Sequence, residues 1–294
     1  MLGASLLFAL MSVGVKLASA QYSAGEIVMY RASIGLVLMT VVMRSRSIPL
    51  ATPVAAMHFW RSLCGVSALC LWFYAIGNLP LATAVTLNYM SSIWIALFLI
   101  AGAFLLSNSN KPPAGIDARL VAAVLTGFVG VALVLRPTLA SDQLWYGLSG
   151  LLSGVLAAMA YLQVSALGRV GEPEERVVFY FSLAGVVAGA GVAAISGGLS
   201  VHTPRGLALL LGIGVSATAA QWMMTRAYAI GTALSNAALQ YLGIVFAFVM
   251  GVWLFNDPVT AMALAGMALI IAAGLAATLL RSRAQRPDHS PNDT

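Results

Sequence analysis

Apolar windows long enough to cross a bilayer follow one another along nearly the whole chain, and that feature leaves few folds open. A soluble core has no room to bury so much oily surface. With 61% hydrophobic and 8% charged residues, a water-facing shell could not be assembled either. The runs are continuous and do not alternate in segments of about ten residues, so they predict helices and not a β-barrel. The expected fold class is an all-α membrane protein.

Ten spans are read: Leu2 to Ala20, Glu26 to Met43, Phe59 to Ile76, Leu81 to Leu106, Arg119 to Leu135, Trp145 to Leu167, Val177 to Ser196, Arg205 to Ala229, Thr232 to Phe255 and Val259 to Leu280. At about 20 residues per span they leave no length for a separate globular domain, so the function must reside among them. The first run has no basic leader, and Lys16 stands where signal cleavage needs small residues, so it is expected to be a retained span. Residues 281–294 are polar and expected to form a disordered cytoplasmic tail.

Lys and Arg resist translocation, so their placement orients the chain. With both termini inside, the inner connections and tail hold Arg44, Arg46, Lys111, Arg169, Arg176, Arg281, Arg283 and Arg286, with Arg61 and Arg119 at adjoining span ends. The outer connections then hold only Arg136 and Arg205. The same bias accounts for the net charge of +6 without nucleic acid, because the basic residues hug membrane edges and form no continuous patch.

A weak internal copy divides the chain. Tyr-Ala-Ile-Gly at 74–77 recurs at 228–231, and Leu87, Asn88 and Tyr89 answer Leu239, Gln240 and Tyr241. Residues 1–138 and 139–280 thus form two repeats of five spans each. Five is odd, so the second copy must enter the membrane inverted. Inverted repeats are the usual build of secondary transporters, with the site between the repeats near the midplane and alternating access around it.

The sequence also resembles a known family. Ten spans in five plus five, Lys16 late in the first helix, Arg31 early in the second, the string from Phe73 to Ala84, Gly-Phe-Val-Gly-Val-Ala-Leu-Val-Leu at 127–135 and Gly-Met-Ala-Leu-Ile-Ile-Ala-Ala-Gly at 266–274 look like the EamA family of the drug/metabolite transporter superfamily. The resemblance covers the chain to about Leu280, and its motifs are degenerate. It implies metabolite export, with the amino-acid exporter branch, handling aromatic and other neutral amino acids, the nearest fit. Two departures stand out. The family's prolines in the fourth and ninth helices are replaced by Ser92 and Ile244, and its Gly-Glu ends by Ser107-Asn108 and Asn256-Asp257.

Polar side chains inside spans cost free energy unless they find partners or water, so they mark a candidate path. Thr218, Gln221, Trp222, Thr225 and Tyr228 recur at spacings of three and four along one helix face. Asn236, Gln240 and Tyr241 on span nine answer Asn88 and Tyr89 on span four, and Trp94, Tyr161 and Gln163 complete the expected cavity. The competing explanation for each is interhelical packing or hydrogen bonding.

Lys16, Arg31 and Arg226 are the cations read inside spans, where snorkelling to the nearer interface competes with holding a substrate carboxylate. Glu26 is expected to neutralise Lys16 as a gate-side pair. No Asp or Glu is read deep in any span, which favours neutral or zwitterionic cargo. Trp60, Trp145, Trp253 and Tyr22 read as interfacial anchors. Gly150-x-x-x-Gly154 and Gly185-x-x-x-Gly189 allow close helix contact, within the chain or between copies, so monomer and homodimer both remain open.

Enzyme chemistry finds little footing. His58, His202 and His289 form no ligand pair and no carboxylate cluster adjoins them in sequence, so neither metal nor cofactor is expected. Cys64 and Cys70 lie six apart on one helix and cannot face each other for a disulfide. No phosphate-cradling Gly-x-x-x-x-Gly-Lys segment is present for an ATP-driven pump. The expectation is a secondary exporter of amino acids or related small metabolites in a bacterial inner membrane. A multidrug or nucleotide-sugar carrier, or a membrane enzyme or scaffold, stands as the alternative.

Overall fold

A computed structural model describes residues 1–105, 122, 126–127, 129–130, 133, 143–231, 236 and 239–284, and this part of the chain is helical throughout, without a strand. The helices are α1 (Leu2–Ala18), α2 (Ala24–Ser45), α3 (Ala55–Asn78), α4 (Leu81–Tyr89), α5 (Ser91–Leu105), α6 (Leu144–Arg169), α7 (Glu174–Ile195), α8 (Pro204–Ile230), α9 (Leu242–Phe255) and α10 (Ala261–Ala284). The expected span at 119–135 lies almost wholly outside the described residues, as do residues 285–294. The helix α10 runs on to Ala284, four residues into the segment expected to be a disordered tail.

Six stretches are long and apolar enough to cross a bilayer: α2, α3, the α4 and α5 pair over Leu81–Phe98, α6, α7 and α8. The helices α1 and α9 and the stretch Leu264–Ala273 of α10 are apolar but shorter. Large apolar side chains such as Val187, Ile195, Trp145 and Trp253 point outward with most of their surface exposed. Such a belt suits lipid and not water, and the chain is an integral membrane protein. Trp60, Trp145 and Trp253 are exposed as anchors should be, but Tyr22 is buried against the backbone of Gly206 and the His202 ring.

Helix ends follow local chemistry. The Ser23 side chain accepts from Glu26 N at 3.2 Å and Thr203 from Gly206 N at 3.0 Å, satisfying amides that α2 and α8 would otherwise leave open, while Pro204 begins α8 where its missing N–H costs nothing. The stop of α6 is a Schellman turn. Gly171 takes φ +76°, Glu172 N donates to Leu167 O and Gly171 N to Gly168 O. That turn swings Glu172 back over the bundle, where it organises one end of the molecule.

The bundle is knit across the two halves of the sequence. The main pairings are α2 with α7, α3 with α6, α1 with α8, α2 with α8, α3 with α7, α1 with α9, and α4 with α6 and α9. Glycines set the closest approaches. A Cβ on Gly189 would lie 2.5 Å from Met29 N, and one on Gly154 2.7 Å from Leu87 O. Both small-residue stripes are therefore filled by neighbouring helices of the same chain. The helical pattern breaks at Met90 between α4 and α5 and again at Tyr241 before α9. The first break follows Tyr89 and the second falls at Tyr241, and both form without the prolines that the family resemblance would put at Ser92 and Ile244.

Candidate functional site

Seven helices from both halves, α1, α2, α3, α4, α6, α7 and α8, converge on a central cavity of about 40 Å³. That volume holds a few waters. The wall mixes five aromatic residues with four polar or cationic ones, the rest being small or aliphatic. The helix α2 contributes Arg31, α3 Arg61 and Trp72, α4 Asn88 and Tyr89, α6 Tyr161, α7 Phe181 and α8 Gln221.

The two guanidiniums share one ring. The Arg61 Cζ lies 4.4 Å and the Arg31 Cζ 5.6 Å from the Phe181 centroid, both within cation–π reach. Arg61 lies across Gly65, one turn further along α3, where any larger side chain would collide with it. Asn88 is held by its Nδ2 donating to Ser153 Oγ at 2.9 Å, and Tyr89 sits in the gap left by Gly243. Arg31 and Arg61 are 5% and 2% exposed and make no ion pair among the described residues.

Polar clusters tie the helices together at both ends of the bundle. At one, Lys16 Nζ donates to Asp257 Oδ1 at 3.1 Å and Leu79 O at 3.0 Å, and Asp257 Oδ2 accepts from Leu81 N at 2.7 Å. Nearby, Glu26 accepts from Ser200 N at 2.9 Å and Ser200 Oγ at 2.8 Å. At the other end Glu172 Oε1 accepts from His58 Nε2 and Thr52 Oγ1, each at 2.8 Å, and from Arg176 Nη1 at 3.0 Å. Arg46 Nη1 reaches Glu175 Oε1 at 2.6 Å alongside. Burial pushes the Glu172 carboxyl up, but the bonds from His58, Thr52 and Arg176 and the Arg176 charge outweigh it, leaving the group below the ordinary carboxylate range.

Of the residues expected from sequence, Arg31, Asn88, Tyr89, Tyr161 and Gln221 meet on the cavity wall. Thr225, Gln240 and Tyr241 are buried but do not line it. The Tyr161 ring stacks on Tyr228 at 5.2 Å, and Tyr228 OH donates to Gln240 Oε1 at 3.5 Å, so Gln240 stands behind the wall. Trp94 stacks on Phe98 and Gln163 lies away from the cavity. Trp222 is also off it, lying under the Arg46 guanidinium at 5.3 Å at the Glu172 end. The neighbouring positions Gln221 and Trp222 point about 100° apart on a helix, so one alone can face the centre.

Three charge assignments change. Glu26 does not neutralise Lys16, because Asp257 does and Glu26 is taken by Ser200. Arg226 is exposed on α8, where snorkelling suffices. Arg61, read as a span-end residue, is a wall residue: α3 begins at Ala55, four residues earlier than expected, which carries Arg61 about one turn further into the helix. His58 and His202 do meet carboxylates, Glu172 and Glu26, across sequence separations that hid the contacts. Trp72 and Phe181 were also missed, since nothing distinguishes one buried aromatic from another before the helices are packed.

The chain is 34% identical over 275 residues to the pseudopaline exporter of Pseudomonas aeruginosa, covering 93% of this chain and 92% of that one. It belongs to the drug/metabolite-type transporter family. A riboflavin transporter of Rhizobium johnstonii is 30% identical over 222 residues, covering 74% of this chain and 69% of the relative. An S-adenosylmethionine uptake transporter of Rickettsia bellii is 25% identical over 224 residues, covering 74% and 70%. No family model matches the chain. A crystal structure of a protein 19% identical superposes over 97% of this chain and 98% of its own with a TM-score of 0.67, which shows a shared fold. As a member of this transporter family the chain moves small metabolites and is not an enzyme.

Proposed function

We propose that the chain is a secondary exporter of the EamA type, built from two inverted five-helix repeats, 1–138 and 139–280, with both termini on the cytoplasmic side of a bacterial inner membrane. Its cargo is an amino acid or an amino-acid-derived metabolite, moved by alternating access. A reciprocal exchange carries the reading. Glu26 in the first turn of α2 binds Ser200 in the segment after α7, while Glu175 in the first turn of α7 binds Arg46 at the end of α2.

The helix pairings support it in the same way. Under that repeat α3 with α6 is the mate of α1 with α8, α2 with α8 of α3 with α7, and α1 with α9 of α5 with α6. The basic bias of the connections assigns the Glu172 end to the cytoplasm. Pseudopaline export by one relative supports outward movement of a small metabolite. Arg31 and Arg61 suit a cargo carboxylate, with Tyr89 and Trp72 beside them for its apolar part.

Counterflow tests the reading. Purified protein in sealed vesicles should exchange labelled amino acids against an internal load, and a single-cysteine map should put position 172 on the cytoplasmic face. Exchange of nucleotide sugars with no amino-acid exchange would overturn the cargo class, and no exchange of any solute would overturn the carrier reading.

A further inference from the structure

The cavity wall carries an unbalanced set of polar atoms. Arg31 Nε, Arg61 Nε and Nη1, Trp72 Nε1 and Gln221 Nε2 are buried with no hydrogen-bond partner. All of these are N–H donors, and all belong to residues that line the one cavity. Asn88, the other amide there, has its donor already engaged by Ser153. Two of the residues are cations, and the described ion pairs all lie at the ends of the bundle instead.

Folding alone would not leave such a group. An unpaired buried guanidinium is costly, and so is a donor with nothing to donate to. Two cations that share the Phe181 ring also repel each other. A zwitterionic cargo with a single carboxylate would neutralise one arginine and bring its own ammonium next to the other. A cargo with two acid groups neutralises both and supplies enough acceptor oxygens for the remaining N–H groups. Arginine suits this task because its planar fork meets a carboxylate with two parallel bonds.

We infer that the central site takes a metabolite bearing two carboxylates, one against Arg31 and one against Arg61, with Gln221 and Trp72 donating to the same oxygens. This rests on the exporter reading and narrows its cargo from amino acids in general to diacids. Phe181 acts as a positioning residue, holding the two guanidiniums over a common face.

The test uses the full-length protein and matched acid and amide pairs: glutamate with glutamine, aspartate with asparagine, and succinate with its monoamide. Thermal protection in detergent and counterflow in vesicles are both measured. Each acid should act at a concentration about tenfold or more below its amide, the size expected of one charge-assisted hydrogen-bonded pair. Arg31→Gln and Arg61→Gln should each bring that ratio close to one, with Arg61→Lys intermediate. Arg61→Gln without cargo should melt no lower than the wild type, because it removes an unpaired charge. An acid-to-amide ratio near one in the wild type, or a ratio that survives both glutamine variants, would overturn the diacid assignment. Exchange of neutral amino acids with such a ratio would leave the exporter reading standing. Acid-selective protection without any exchange would do the reverse.

Discussion

Lys16 and Asp257 are 241 residues apart in sequence and 3.1 Å apart in space, and the same carboxylate caps the first amide of α4. One aspartate thus ties the ends of α1 and α9 to the start of the α4 and α5 stretch. Asp257→Ala should remove the pair and the cap together. The expected cost is about 1 to 3 kcal/mol of stability, the range for hydrogen bonds involving a charged group. A denaturation series in detergent checks it, and a change under about 0.5 kcal/mol would mean that the contact contributes no more than an exposed salt bridge.

The Glu172 cluster gives a pH dependence. The folded chain holds this carboxyl below its ordinary value of about 4.3, so as pH falls the unfolded chain takes up the proton first. The cluster's contribution is therefore complete above that value and drains away as pH drops through the lower, folded one. Melting temperatures measured from pH 7 down to about 3 should fall more steeply for the wild type than for Glu172→Gln, which starts lower and has less to lose. Parallel curves would refute this.

Glycine substitutions separate packing from propensity. At Gly189 a new Cβ would strike the backbone of Met29, which cannot rotate away, so Gly189→Ala should cost about 1 to 3 kcal/mol or more. Gly191 on the same helix has nothing within 4 Å, and Gly191→Ala should be neutral or gain up to about 1 kcal/mol from helix propensity. Equal effects at the two sites would contradict the close crossing of α2 and α7.

Adjacent residues on α8 should also part company. Gln221→Ala removes a cavity donor and should cut transport about tenfold or more, with little change in melting temperature. Trp222→Ala leaves the cavity alone and loosens the Arg46 contact, so its effect should track stability. A Trp222 variant that folds normally but transports no cargo would return that ring to the site.

Much of the helical layout was legible because it rests on composition and continuity, which lipid enforces along every span. Helix starts were less so. Arg61 was misplaced because its span opens with the mixed run from Ala55 to Trp60, where hydropathy gives no sharp edge, and four residues moved a wall cation to the surface. Asn88, Tyr89 and Gln221 could be picked out as polar residues on apolar helices. Gln240 and Thr225 carried the same signal yet serve as backing, and only packing tells wall from backing. The Lys16 partner was misread for a similar reason. Glu26 is nearer in sequence, but Asp257 is brought in by the turn at Asn256, which takes φ +52°.

Both glycine stripes are spent inside the chain, Gly150 and Gly154 against Leu87 and Asn88, Gly185 and Gly189 against Met29 and Ala32. Neither motif is left to mesh with a second copy, and the outward face of α7 carries bulky branched side chains such as Val187 and Ile195. The tight crossings these glycines allow therefore serve to hold one polypeptide's own rods together.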